Sequence, residues 1–106
     1  MFARRVYMHL KPNSAANLTQ KLEKEIIPLL RKQKGFQDEI TFVASSGTEA
    51  FGISLWENKE NAEAYNLGTY PEVTKLLATV IDGPPQVETY NVANSTFHKI
   101  AAAVAV

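Results

Sequence analysis

Tyr7 and His9 stand two residues apart on a segment that alternates apolar and polar side chains, so a strand there projects both to one side. An imidazole titrates near neutrality and a phenol can donate to a developing oxyanion, which makes them a candidate catalytic pair for moving a proton. Arg5, on the same side, could hold an anionic substrate or stabilise an enolate. On the stretch Glu49 to Glu57, Gly52, Ser54 and Trp56 share one parity and Phe51, Ile53 and Leu55 the other. A large ring beside small and hydroxylated residues suits neither a dry core nor open water. Ser54 and Asn91 are further substrate-binding candidates, Asn91 only if its parity faces the pocket. Each residue also has a plainer reading: His9 hydrogen-bonded in an interface, Arg5 in a salt bridge at a barrel mouth, Trp56 anchoring a dimer.

Several other chemistries find little support. The chain has no cysteine, which excludes disulfides, thiolate metal sites and a cysteine nucleophile. His9 and His98 lie on distant segments without a second ligand at close spacing, so no metal site is expected. Glu23, Glu25, Glu60 and Glu63 read as solvated helix faces, and no glycine-rich phosphate loop or Ser-His-Asp arrangement is present. Eleven basic residues balance eleven acidic ones with no long run of either sign, so neither nucleic acid nor a membrane surface is an expected partner. The start lacks the apolar run of a secretory signal and the apolar end is too short to span a bilayer, which leaves the cytoplasm as the expected location.

The elements that must position these residues follow from periodicity. A first strand from Arg4 to Lys11 puts Val6, Met8 and Leu10 opposite Arg5, Tyr7 and His9 and closes at Pro12. A helix capped by Asn13 or Ser14 carries Leu18, Leu22, Ile26, Leu29 and Leu30, with Pro28 expected to kink or divide it near Ile27 and Lys34-Gly35 to end it. A second strand from Phe36 to Ala44, with Ile40 and Phe42 on its apolar side, turns through Ser45-Ser46-Gly47-Thr48 into the strand ending at Trp56. Asn58 caps a short helix using Ala62 and Tyr65. A capping box at Thr69-Tyr70-Pro71-Glu72 then opens a helix with Val73, Leu76, Leu77, Val80 and Ile81 at helical spacing. Tyr65 and Tyr70 are read as packing under the helices. Gln86 to Val92 is a fourth strand of open parity, and Ser95 to Ile100 a fifth strand or an arm.

The order β-α-β-β-α-β predicts an α+β, ferredoxin-like single domain over 1–106, with an antiparallel sheet and both helices on one face. Phe51, Ile53 and Leu55 are expected beneath the helices. Tyr7, His9 and Trp56 are expected on the open face, where a second copy would cover them and small residues would leave a pocket.

Trp56-Glu57-Asn58-Lys59-Glu60-Asn61-Ala62-Glu63-Ala64-Tyr65 resembles the strand-to-helix junction of the antibiotic-biosynthesis monooxygenase-like proteins, and Lys11-Pro12 and Lys34-Gly35-Phe36 are similar to theirs. The resemblance covers about residues 4 to 93, an extent judged by element order. It implies a dimeric α+β barrel, a C-terminal segment crossing to the partner (here Ser95 to Ile100), and Trp56 as a pocket wall stacking on a flat substrate. Relatives include cofactor-independent oxygenases of polyphenols and quinols and also haem-degrading enzymes. The latter hold iron through a histidine on the second helical region, and this chain has none between Trp56 and His98. Two readings follow. One is a cofactor-independent monooxygenase of a small quinol-type substrate, with His9 or water taking the proton and Tyr7, Arg5 and Trp56 positioning the anion. The other is a non-catalytic ligand-binding or interaction dimer on the same fold.

Overall fold

In the computed structural model, which describes residues 1–97, the chain runs through β1 (Phe2–His9), α1 (Ala15–Lys21), a π-helical segment (Leu22–Ile26), α2 (Ile27–Arg31), β2 (Phe36–Val43), β3 (Glu49–Trp56), α3 (Lys59–Gly68), α4 (Tyr70–Leu77) and β4 (Gln86–Asn91). The expected βαββαβ order is present. The strands form one antiparallel sheet in the order β2-β3-β1-β4, and the helices cover one face of it. Leu18, Ile26 and Leu30 from the first helical region and Ala62, Tyr65, Val73 and Leu77 from the second join Phe2, Met8, Ala50 and Trp56 in a single core. Residues 95–97 lie outside regular secondary structure, and the remainder of the predicted arm lies outside the described residues.

Local chemistry explains most boundaries. Asn58 caps α3 by accepting the Asn61 amide at 2.9 Å. Gly47 takes a φ of 75° in the β2–β3 turn, where Ala44 N–H donates to Glu49 O at 2.8 Å. Pro28, which has no amide proton to give, divides the first helical region at Ile27 as expected, by a change of helix type and without interrupting the helical backbone. Just before it the backbone widens, and Ile27 N–H donates to Leu22 O, five residues back. Leu18, Leu22, Ile26 and Leu30 recur every four residues, a spacing that drifts by roughly 40° per step on an ideal helix. The wide turn takes up that drift and keeps the apolar row on the sheet. The expected capping box at Thr69 does not form; its hydroxyl donates to Gln33 Oε1 at 3.2 Å and ties α4 to the end of α2.

The face assignment of β3 is corrected. Trp56 is 0% exposed and lies beneath the helices with Ala50, Gly52 and Ser54, while Phe51, Ile53 and Leu55 point to the open face. Register dictates this. Phe2, Arg4, Val6 and Met8 of β1 stand opposite Trp56, Ser54, Gly52 and Ala50, and antiparallel partners share a face. β2 is inverted as well, because a bulge between Phe36 and Asp38 switches its parity. Phe36, Glu39 and Thr41 therefore face the helices, whereas Ile40 and Phe42 remain 48% and 44% exposed. On β4 the register with β1 places Val87, Thr89 and Asn91 on the helix side and Glu88 and Tyr90 on the open side.

Candidate functional site

Between sheet and helices lies a cavity of about 50 Å³. β1 contributes Arg4, Val6 and Met8 to it, β2 contributes Glu39 and Thr41, and β3 contributes Gly52 and Ser54; the roof is apolar apart from Tyr65 and Tyr70. The space depends on small side chains. At Gly52 even a Cβ would stand 2.9 Å from Glu39 Oε2.

Arg4 is the unusual residue here. Only 3% exposed, it makes no ion pair among the described residues. Its guanidinium sits 4.4 Å from the ring centre of Tyr70 and 5.0 Å from that of Tyr65, and Nη2 donates to Asn66 Oδ1 at 2.9 Å. Burial draws its pKa below the ordinary arginine value, with the two phenols opposing. The Tyr70 hydroxyl is buried without a hydrogen-bond partner among the described residues, and burial raises its pKa against the pull of Arg4. Tyr65 is pushed up to about 12 for the same reason, so both phenols are held as donors. Burial also raises Glu39, against the hydrogen bond it accepts from Thr41 Oγ1 at 2.6 Å. A cation, two phenols and a carboxyl whose pKa is raised by burial thus surround one small apolar space. Such a set can bind an oxyanion and exchange a proton with its precursor.

The residues singled out from sequence are divided between the two faces. Ser54 lines the cavity and accepts Trp56 Nε1–H at 2.8 Å. Trp56 stands behind the wall, stacked on Tyr65 at 4.9 Å and edge-on to Phe36 at 5.6 Å, so it holds the lining in place without forming it. Tyr7, His9 and Arg5 are on the open face. Tyr7 meets His9 edge to face at 5.4 Å, and Arg5 pairs with Glu88 at 3.1 Å, an acceptor shared with the Tyr90 hydroxyl. Asn91, at the exposed end of β4, pairs with Phe2 and does not reach the cavity lining. Arg4, Glu39, Tyr65 and Tyr70 were not foreseen as site residues. The signal for Arg4 was present: an arginine on the same parity as Val6, Met8 and Leu10 is a charge placed in the core.

The sequence matches no family model and no curated protein, so the likeness to known proteins is carried by the fold. The monooxygenase from the gene ActVA-Orf6 of Streptomyces coelicolor, solved with the ligand nanaomycin D, is similar at a TM-score of 0.76 with 16% identity, covering 92% of each chain. A protein of unknown function from Nitrosomonas europaea gives 0.73 with 18% identity over 90% of this chain and 91% of its own. An antibiotic biosynthesis monooxygenase gives 0.69 with 12% identity over 89% of this chain and 100% of its own. The chain has the fold of the antibiotic biosynthesis monooxygenases. At these identities the likeness fixes the βαββαβ architecture and leaves the chemistry to the side chains. Among the described residues no group of three His, Cys, Asp or Glu side chains could hold a metal ion, and no helix is long and apolar enough to cross a membrane.

Proposed function

We propose that this chain binds a small, planar, electron-rich phenol or enol in the cavity between helices and sheet and oxygenates it without metal or flavin. The observation that carries the reading is Arg4, a buried cation that among the described residues has no carboxylate partner, beside the Tyr70 hydroxyl, buried and without a hydrogen-bond partner among the same residues. A buried charge met by one neutral acceptor and two ring faces is only partly compensated, against a full penalty of several kcal/mol, and an unsatisfied hydroxyl costs about 1–3 kcal/mol. An anionic oxygen placed between them relieves both. In this reading Glu39, the carboxyl of the cavity, takes the substrate proton, and Arg4 and Tyr70 hold the resulting anion. The anion reduces dioxygen: at a ring methylene one oxygen atom becomes the new carbonyl and the other leaves as water with both displaced hydrogens. The similar S. coelicolor monooxygenase, solved with an organic ligand, is the precedent for this fold accepting one.

Tyr7, His9 and Arg5 belong, in this reading, to a face covered by a second copy of the chain, supported by the half-exposed Ile40, Phe42 and Tyr90 around them. Because the fold alone does not fix the chemistry, and a protein of unknown function shares it, the second reading is a non-catalytic ligand-binding dimer. Oxygen uptake with a panel of quinols and anthrones separates the two. Turnover that falls at least about 100-fold in Arg4→Met and clearly in Tyr70→Phe, but persists in His9→Ala, supports the oxygenase. Saturable binding without uptake supports the second reading, and neither turnover nor binding overturns both.

A further inference from the structure

The inner cavity, at about 50 Å³, is smaller than the roughly 150 Å³ that accommodates a benzene ring. A ligand must therefore enlarge it. On the other side of Arg4, between α3 and β4, lies a solvent-facing cleft of about 360 Å³ whose lining includes Lys59, Ala62, Glu63, Asn66, Val87 and Thr89, and Arg4 is the residue common to both walls among those described. Its guanidinium is held there by one neutral acceptor, Asn66 Oδ1 at 2.9 Å, on a residue that is itself exposed.

We infer that the α3–β4 cleft is an entrance and outer subsite of the cavity, and that Arg4 with Asn66 gates the passage between them, opened by the anionic oxygen of an aromatic acid, phenol or enol. The inference rests on the proposed function above. The arriving oxyanion replaces the Asn66 amide as acceptor, because a charge-assisted hydrogen bond is roughly twice as strong as a neutral one. The guanidinium then turns with its new partner, and the two spaces join. Lys59 and Glu63 both line the cleft and offset one another, so Arg4 is the cation that an anion meets at its inner end. No bond is made or broken beyond hydrogen bonds.

Trp56, the sole tryptophan, stacks on Tyr65 of the cavity wall and reports occupancy. The test is stopped-flow tryptophan fluorescence with 2-naphthoate as probe. Wild type is expected to bind saturably, and Arg4→Met to lose that binding. Asn66→Asp, which gives Arg4 a charged partner, and Thr89→Leu, which fills the cleft, should each slow association at least tenfold. Gln20→Leu, in a groove of about 450 Å³ elsewhere on the surface, should leave it unchanged. Val87→Met serves in place of Thr89→Leu should the latter not fold. Binding abolished in Arg4→Met but reached at the wild-type rate in either Asn66→Asp or the cleft-filling variant overturns the gate and leaves the proposed function standing. A wild type without Arg4-dependent saturable binding overturns both.

Discussion

Glu39 shows how one residue's surroundings decide its use. Its neighbours in register are Ser54 across the strand pair and Thr41 two positions on, and burial disfavours its charged form more than the Thr41 hydroxyl favours it. A carboxyl whose folded pKa lies above its unfolded value binds more protons in the folded state, so stability is full below the ordinary value of 4.5 and is lost as pH rises through the raised folded value. Glu39→Gln removes that loss. The variant should match wild type in acid and become the more stable of the two as pH rises toward neutrality, in urea denaturation from about pH 4 to about pH 8. A constant difference across that range would mean that Glu39 titrates normally. The sequence held less of this than of Arg4. Glu39 sits beyond a bulge that reverses strand parity, and nothing in the residue types around Gln37 announces the extra residue.

At the level of elements, order, turns and the cap at Asn58 were legible because each depends on a few adjacent residues, whereas the side-chain caps read at Ser14 and Thr69 do not form. Gly47 in the hairpin, Asn58 at the start of α3 and the proline inside the first helical region all act locally. Which face of β3 lies under the helices was not legible, since Phe51, Ile53 and Leu55 are the more apolar set and still face outward; the register with β1 decides, and it is a long-range property. Gly35 links the two kinds of information. It has a φ of 80°, its carbonyl accepts Glu57 N–H at 2.8 Å, and a Cβ there would collide with the Asn61 side chain. Gly35→Ala should therefore lose the left-handed cost of about 1–2 kcal/mol and a further amount from the collision. In an Asn61→Gly background the collision part should disappear and the backbone part remain, a difference that a double-mutant cycle in chemical denaturant resolves. Equal losses in both backgrounds would leave the backbone angle as the whole cause.

For the whole molecule the decisive feature is a sheet apolar on both sides. One side is filled by helices, and its small residues Ala50, Gly52 and Ser54 leave the cavity; the other presents Ile40 against Ile53 and Phe42 stacked on Phe51 at 4.9 Å, beside Tyr7, His9 and the Arg5–Glu88 pair. Two apolar parities on one strand are what made the sequence ambiguous, and they are also what a face-to-face pair of sheets requires. If a second copy covers the open face, unfolding and dissociation are linked and the melting temperature rises with protein concentration. Phe42→Asp tests this with little risk to the monomer, because the side chain is 44% exposed and lies away from the helix-covered core. Sedimentation equilibrium should show wild type as a dimer at micromolar concentration and Phe42→Asp as a folded monomer whose melting temperature no longer depends on concentration. A monomeric wild type with a concentration-independent transition would sink the two-fold arrangement while leaving the cavity around Arg4, which one chain builds alone, untouched.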